Sequence, residues 1–77
     1  MVLTREEVRT AILSFLDGTG GPRDWDDFTS APINDPFLDS VRRFCDSTRE
    51  GFPPAPDERA YCNVVGMTLM RAIAEAL

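Results

Sequence analysis

The sequence predicts an all-α fold: three principal helices near residues 4 to 17, 36 to 50 and 64 to 77, with a short helical turn at 25 to 30 packed between the first two. Three observations carry that prediction. Apolar residues recur at three- and four-residue steps through each long segment. Each segment opens on a residue suited to cap a helix, and glycine or proline punctuates the stretches between them. Finally, 77 residues at 43% hydrophobic and 27% charged make one small globular domain, 1 to 77, rather than a disordered tail. A chain of this size buries only about 60–65% of its unfolded surface, so no second domain or deep cleft is expected.

Thr4-Arg5-Glu6-Glu7 reads as a capping box, with the Thr4 hydroxyl on the Glu7 amide and the Glu7 carboxylate reaching back to the Thr4 amide. Leu3 and Val8 are placed to form the accompanying hydrophobic staple. Val8, Ala11, Ile12, Phe15 and Leu16 then form one apolar stripe, and Gly18 can take the left-handed conformation that closes the helix after Asp17. Gly18 to Pro22 is a turn. No lysine with serine or threonine follows it, so it does not match a phosphate-binding loop.

Asp24 is positioned to cap the short turn starting at Trp25, with Asp27 in a weaker version of the capping box, and Pro32 ends that turn by Ala31. Asp35 followed by Pro36 is a strong helix start. The second long helix carries an apolar stripe of Phe37, Leu38, Val41, Phe44 and Cys45, with acid-first pairs Asp39 to Arg43 and Asp46 to Arg49 on its wet side, and ends at Gly51. The prolines of Phe52 to Pro56 hold an extended crossing that Phe52 anchors. The last helix could be capped by Asp57 or by Asn63; Asn63 is favoured, leaving at most a turn over Asp57 to Tyr61. Its apolar positions are read as Tyr61, Val64, Val65, Leu69, Ala72, Ile73 and Leu77, with Gly66 permitting a close contact. The expected core is Leu3, Val8, Ile12, Phe15, Leu16, Trp25, Phe28, Phe37, Val41, Phe44, Val65, Leu69 and Ile73.

Composition narrows the chemistry. The chain has no histidine, which removes the commonest acid–base and nucleophile-activating arrangements. Cys45 on an apolar stripe and Cys62 with no base beside it are expected to be reduced, buried and structural. Counted from Asp24 as a calcium loop, the sixth and twelfth places hold Thr29 and Asp35 instead of glycine and glutamate, so that match fails. No metal or other cofactor is expected. The apolar runs are too short for a membrane span, and the charged start, Thr4-Arg5-Glu6-Glu7, lacks the apolar core of a signal peptide, so a cytoplasmic location is expected.

The charge is unevenly placed. The window Asp17 to Asp39 holds six acids against Arg23 alone, while the rest of the chain balances seven acids with seven arginines, so the whole net charge of −5 lies in that window. Such a surface is repelled by nucleic acid and by anionic lipid, and no nucleic-acid or membrane partner is expected. At its centre, Asp24-Trp25-Asp26-Asp27-Phe28 places two aromatics three residues apart, spaced to enter the core together as structural anchors. Asp26 and Asp27, with Asp39 as a neighbour, are left to present a negative face to a partner.

The Gly-rich turn Gly18 to Pro22, the Asp-Trp-Asp-Asp-Phe run, the Asp-Pro helix start within Ile33 to Asp39 and the crossing Phe52 to Pro56 together resemble small uncharacterised bacterial proteins. The resemblance spans about half of the chain and implies a helical fold and a bacterial origin. It carries over no activity and no site residues. The reading favoured is therefore a non-enzymatic protein-interaction module using an acidic surface around residues 24 to 39, with a basic protein as partner. The alternatives are an inhibitor or immunity-like protein that covers a cationic site, a weakly metal-dependent or cysteine enzyme, and a homodimer in which a second copy completes the apolar surface.

Overall fold

The computed structural model describes residues Met1–Leu77 as four helices: α1 (Arg5–Asp17), α2 (Asp24–Ser30), α3 (Pro36–Gly51) and α4 (Val64–Ala76). The all-α expectation is met. Each helix packs on the one before and the one after it, and α4 closes back onto α1, so the four surround one cluster of buried side chains. No helix is long and apolar enough to cross a membrane.

The helix starts follow the side chains that accept the first orphan amides. Thr4 Oγ1 accepts from the Glu7 amide at 3.1 Å while Glu7 Oε1 accepts from the Thr4 amide at 3.0 Å, completing the capping box. Asp35 Oδ1 accepts from the amides of Phe37 and Leu38, with Pro36 at the first helical position. Asn63 Oδ1 accepts from the Gly66 amide, so α4 begins there; the chain before it makes only a turn, closed by the Glu58 amide on the Ala55 carbonyl. Gly18, at φ 73°, ends α1 in the left-handed conformation.

Asp24 departs from its expected part. It is the first residue of α2, Arg23 holds the cap position without a side-chain bond, and Asp24 Oδ2 turns back to accept from the Gly21 amide at 2.7 Å. The Asp24 amide in turn donates to the Gly21 carbonyl, so the carboxylate closes the preceding turn instead of capping the helix. Asp46 and Arg49 form no ion pair, whereas Asp39 binds Arg42 at 2.8 Å as well as Arg43 at 3.5 Å.

The buried core is Val8, Ile12, Trp25, Phe28, Ile33, Leu38, Val41, Cys45, Cys62, Met70 and Ala74. Leu3, Phe15, Leu16, Phe44 and Ile73 line its margin as half-buried side chains. Three expected core residues lie outside. Phe37 is 51% exposed in the first turn of α3, with the Arg5 guanidinium 5.1 Å from its ring centre. Val65 and Leu69 are 52% and 39% exposed, because α4 turns Gly66, Met70 and Ala74 inward instead.

The choice of buried arc follows from Gly66. A β-carbon there would stand 3.0 Å from both Phe52 Cβ and Cys62 Sγ, tighter than nearly all real β-carbon contacts, so the helix approaches the start of the proline-rich crossing at a distance that glycine fits without displacement. Phe52 is half-buried and its carbonyl accepts from the Asn63 amide, which ties that crossing to the start of α4.

Candidate functional site

The site builds up from the two turns that join α1 and α2. At the end of α1, the amides of Gly18, Thr19 and Gly20 all converge on the Ser14 carbonyl, and the Gly21 amide goes to Asp24. These donors are occupied within the loop, which leaves no amide cradle for a phosphate. The loop folds α2 back beside α1. Trp25 then stacks on Phe15 with ring centres 3.9 Å apart and planes 10° from parallel, and Phe28 lies 5.4 Å from Trp25. Tyr61 closes this aromatic cluster from behind, edge-on to Phe15 at 5.4 Å and to Trp25 at 5.8 Å.

Between α1 and α2 this leaves an open groove of about 960 Å³. Its floor is apolar, made by Leu3, Ala11, Phe15, Trp25 and Phe28. Its rim is acidic: Glu6 and Glu7 from α1 face Asp24 and Asp27 from α2. No arginine lines it. The one cation in its lining is the Met1 ammonium, which donates to the Pro32 carbonyl at 2.8 Å and to Asn34 Oδ1 at 3.2 Å. Glu7 and Asp24 each spend one oxygen on a backbone amide, while the carboxylates of Glu6 and Asp27 make no hydrogen bond within the chain.

Of the three carboxylates singled out in the sequence, Asp27 stands on this rim, whereas Asp26 and Asp39 do not line it. Asp26 is exposed on another side of α2, where its carbonyl accepts from the Ser30 hydroxyl. Asp39 is engaged inside the fold. Its Oδ1 accepts from Arg42 Nε at 2.8 Å and from the Ile33 amide at 2.9 Å, and Arg42 Nη1 continues to the Thr29 carbonyl at 2.8 Å. The Arg42 hydrogen bond, followed by the Ile33 amide, holds the Asp39 carboxyl below the usual carboxylate range. Glu6 and Glu7 are rim residues outside the acidic surface read from the sequence, and Asp24, within it, is read there as a cap. Glu7 reads in the sequence as a capping residue and Glu6 as part of the solvated face of α1, and only the packing of α2 on α1 shows that they share a groove with Asp27.

The remaining reactive groups point away from solvent chemistry. Cys45 and Cys62 are free thiols and both are buried. Burial pushes the Cys45 thiol up to about 12 and raises that of Cys62, opposite to the direction a nucleophilic thiolate needs. Thr48, buried beside them, donates to the Cys45 carbonyl at 2.7 Å. No three acidic or thiol side chains converge as a metal-ligand set. No protein-family model, curated protein or solved structure matches the chain.

Proposed function

We propose that the chain is a non-enzymatic protein-interaction module whose contact surface is the acidic groove between α1 and α2, and that the partner is a basic protein. One observation carries this reading: four carboxylates ring an aromatic floor, and no arginine of the chain neutralises them from within the lining. Basic side chains suit both parts of such a groove. An arginine or lysine sets its charge against the rim while its methylene stem covers the apolar floor. The acidic rim also raises the encounter rate of a cationic partner and makes association salt-sensitive. Asp39, already paired with Arg42 and Arg43, acts here as a buttress between α3 and the segment after α2, and the contact surface shifts from Asp26, Asp27 and Asp39 to Glu6, Glu7, Asp24 and Asp27.

The test is a titration of the protein with short peptides that alternate arginine and leucine, followed by amide NMR shifts. Shifts are expected at Glu6, Thr10, Ser14, Gly20 and Asp27. Affinity should fall several-fold between low and physiological salt, and again on combining Glu6→Gln with Asp27→Asn, two exposed substitutions that leave the caps intact. An acidic peptide of the same length should produce none of these shifts. Shifts mapping elsewhere, or binding indifferent to both salt and the double substitution, would remove the groove from consideration.

A further inference from the structure

We propose that the basic partner enters the groove between α1 and α2 as an α-helix, setting one arginine or lysine against Asp24 at the loop end and a second, two turns away, against Glu6 and Glu7. Resting on the acidic groove described above, this adds the partner's secondary structure and the spacing of its charges.

The spacing comes from α1. Glu6 and Glu7, then Thr10, then Ser14 follow one another at helical contact steps along one wall of the groove. From Glu7 to Ser14 the wall rises about 10 Å. Asp24 stands beside Ser14, since a β-carbon on Gly20 would lie 3.7 Å from Ser14 Cβ and 3.8 Å from Asp24 Oδ2. From there α2 runs back along α1: Pro32 and Asn34, which follow it, bond to Met1 ahead of α1. Asp27 therefore falls between the two acidic ends. A helix returns to nearly the same face after two turns, again a rise of about 10 Å. Basic residues at positions i and i+7 of the partner thus meet both ends at once, while apolar residues at i+3 and i+4 cover Ala11, Trp25 and Phe28 on the floor.

Backbone hydrogen bonding selects a helix over an extended segment. An extended peptide docks by exchanging main-chain bonds with a sheet edge, and this all-helical fold has no such edge. The loop amides do not substitute for one, because Gly18, Thr19 and Gly20 converge on the Ser14 carbonyl and Gly21 donates to Asp24. The carbonyls of an extended chain would lie against the apolar floor without donors. A helix satisfies its own backbone and brings only side chains to the groove. Thr10, Ala11 and Ser14 are small, so that wall of α1 admits a second helix at an ordinary interaxial distance of about 8–10 Å.

Charge complementarity identifies the occupant as cationic. Glu6 and Asp27 make no bond within the chain, Glu7 and Asp24 each keep an oxygen free, and no arginine of the chain lines the groove. An acidic or neutral amphipathic helix would cover the same floor and leave these carboxylates without counter-charges.

Amide NMR titrations with four peptides test the helix separately from the groove. The first, of about 14 residues, is held helical by a side-chain lactam and carries arginine at i and i+7 with leucine at i+3 and i+4. A second keeps the composition but moves the second arginine to i+5, off the shared face. The third carries proline at two interior positions, which prevents the helix. The fourth is the flexible alternating arginine–leucine peptide already described. The first should shift Glu6, Ser14 and Asp27 and bind more than about tenfold tighter than each of the others. Equal affinity of the proline-containing or the alternating peptide would overturn the helical partner, and equal affinity of the i+5 peptide would overturn the two-turn spacing. In either case the acidic groove itself stands if the shifts still map to it and weaken on combining Glu6→Gln with Asp27→Asn. No shift in the groove with any of the four peptides would overturn both the helical partner and the groove.

Discussion

Trp25 is the side chain on which both the core and the groove depend. The residue is only 8% exposed, with its ring stacked on Phe15 and edge-on to Tyr61, yet its indole N–H has no hydrogen-bond acceptor of good geometry. The Tyr61 hydroxyl is the polar group beside it, itself directed at long range to the carbonyls of Cys45 and Asp46, at 3.5 and 3.4 Å. An unpaired buried donor carries a desolvation cost of about 1–3 kcal/mol, so the area Trp25 buries and the polar group it carries act in opposite directions. Trp25→Phe removes the polar group and keeps most of the ring; it should cost about 1 kcal/mol or less, whereas Trp25→Ala should cost about 3–5 kcal/mol. Urea unfolding of the two variants checks this, and equal losses would show that the indole nitrogen makes a stabilising bond. The three-residue spacing of Trp25 and Phe28 was enough to place both rings in the core. The path of the Asp24 carboxylate was not legible, because an amide three residues upstream donates to a carboxylate as readily as one downstream, and the choice lies in the turn at Gly21.

At the scale of the helices, caps were readable and the buried arc of α4 was not. Thr4, Asp35 and Asn63 each act through a side chain within four residues of the amide it satisfies, so local order in the sequence suffices. The facing of a helix is a tertiary property. In α1 and α3 charged residues mark the wet side, but α4 offers only Arg71 and Glu75, and an apolar stripe can be drawn through either Val65 and Leu69 or Gly66 and Met70. The absence of a side chain at Gly66 decides between them, since only there can Phe52 and Cys62 press against the helix. This sets two effects against each other in Gly66→Ala. Helix propensity favours alanine by about 1 kcal/mol. Overpacking costs about 1–3 kcal/mol, and the methyl would meet Phe52 at its Cβ, next to a backbone that Pro53 restricts. Packing wins, and Gly66→Ala should be destabilised by about 1 kcal/mol net, a fall of roughly 4–8 °C in melting temperature for a domain of this size. A raised melting temperature would mean that the crossing yields and that Gly66 does not select the arc.

For the molecule as a whole, Asp39 couples α3 to the end of α2, and its titration gives the fold an acid-side dependence of known sign. Through Arg42 it reaches the Thr29 carbonyl, and through its own oxygen it holds the Ile33 amide, so one carboxylate ties together the segment that carries the net charge. Its folded-state pKa lies below the ordinary carboxylate value of about 3.9, first because of the Arg42 hydrogen bond and then because of the Ile33 amide. A carboxylate depressed in this way binds its proton more weakly in the folded state than in the unfolded one. The stability it contributes is thus fully present above the unfolded value of about 3.9 and is lost as pH falls through the lower, folded value. Asp39→Asn keeps the shape and removes the titration. The variant should unfold more readily than the parent at pH 7, and the gap between the two should narrow once pH falls below about 4. Urea unfolding of both proteins at pH 7, 5, 4 and 3, in buffers of equal ionic strength, reads that gap directly. Self-repulsion of the other acids changes with pH in the parent and the variant alike and largely cancels from the difference, so a gap that stays constant down to pH 3 would mean that the pairing of Asp39 with Arg42 contributes nothing to the fold.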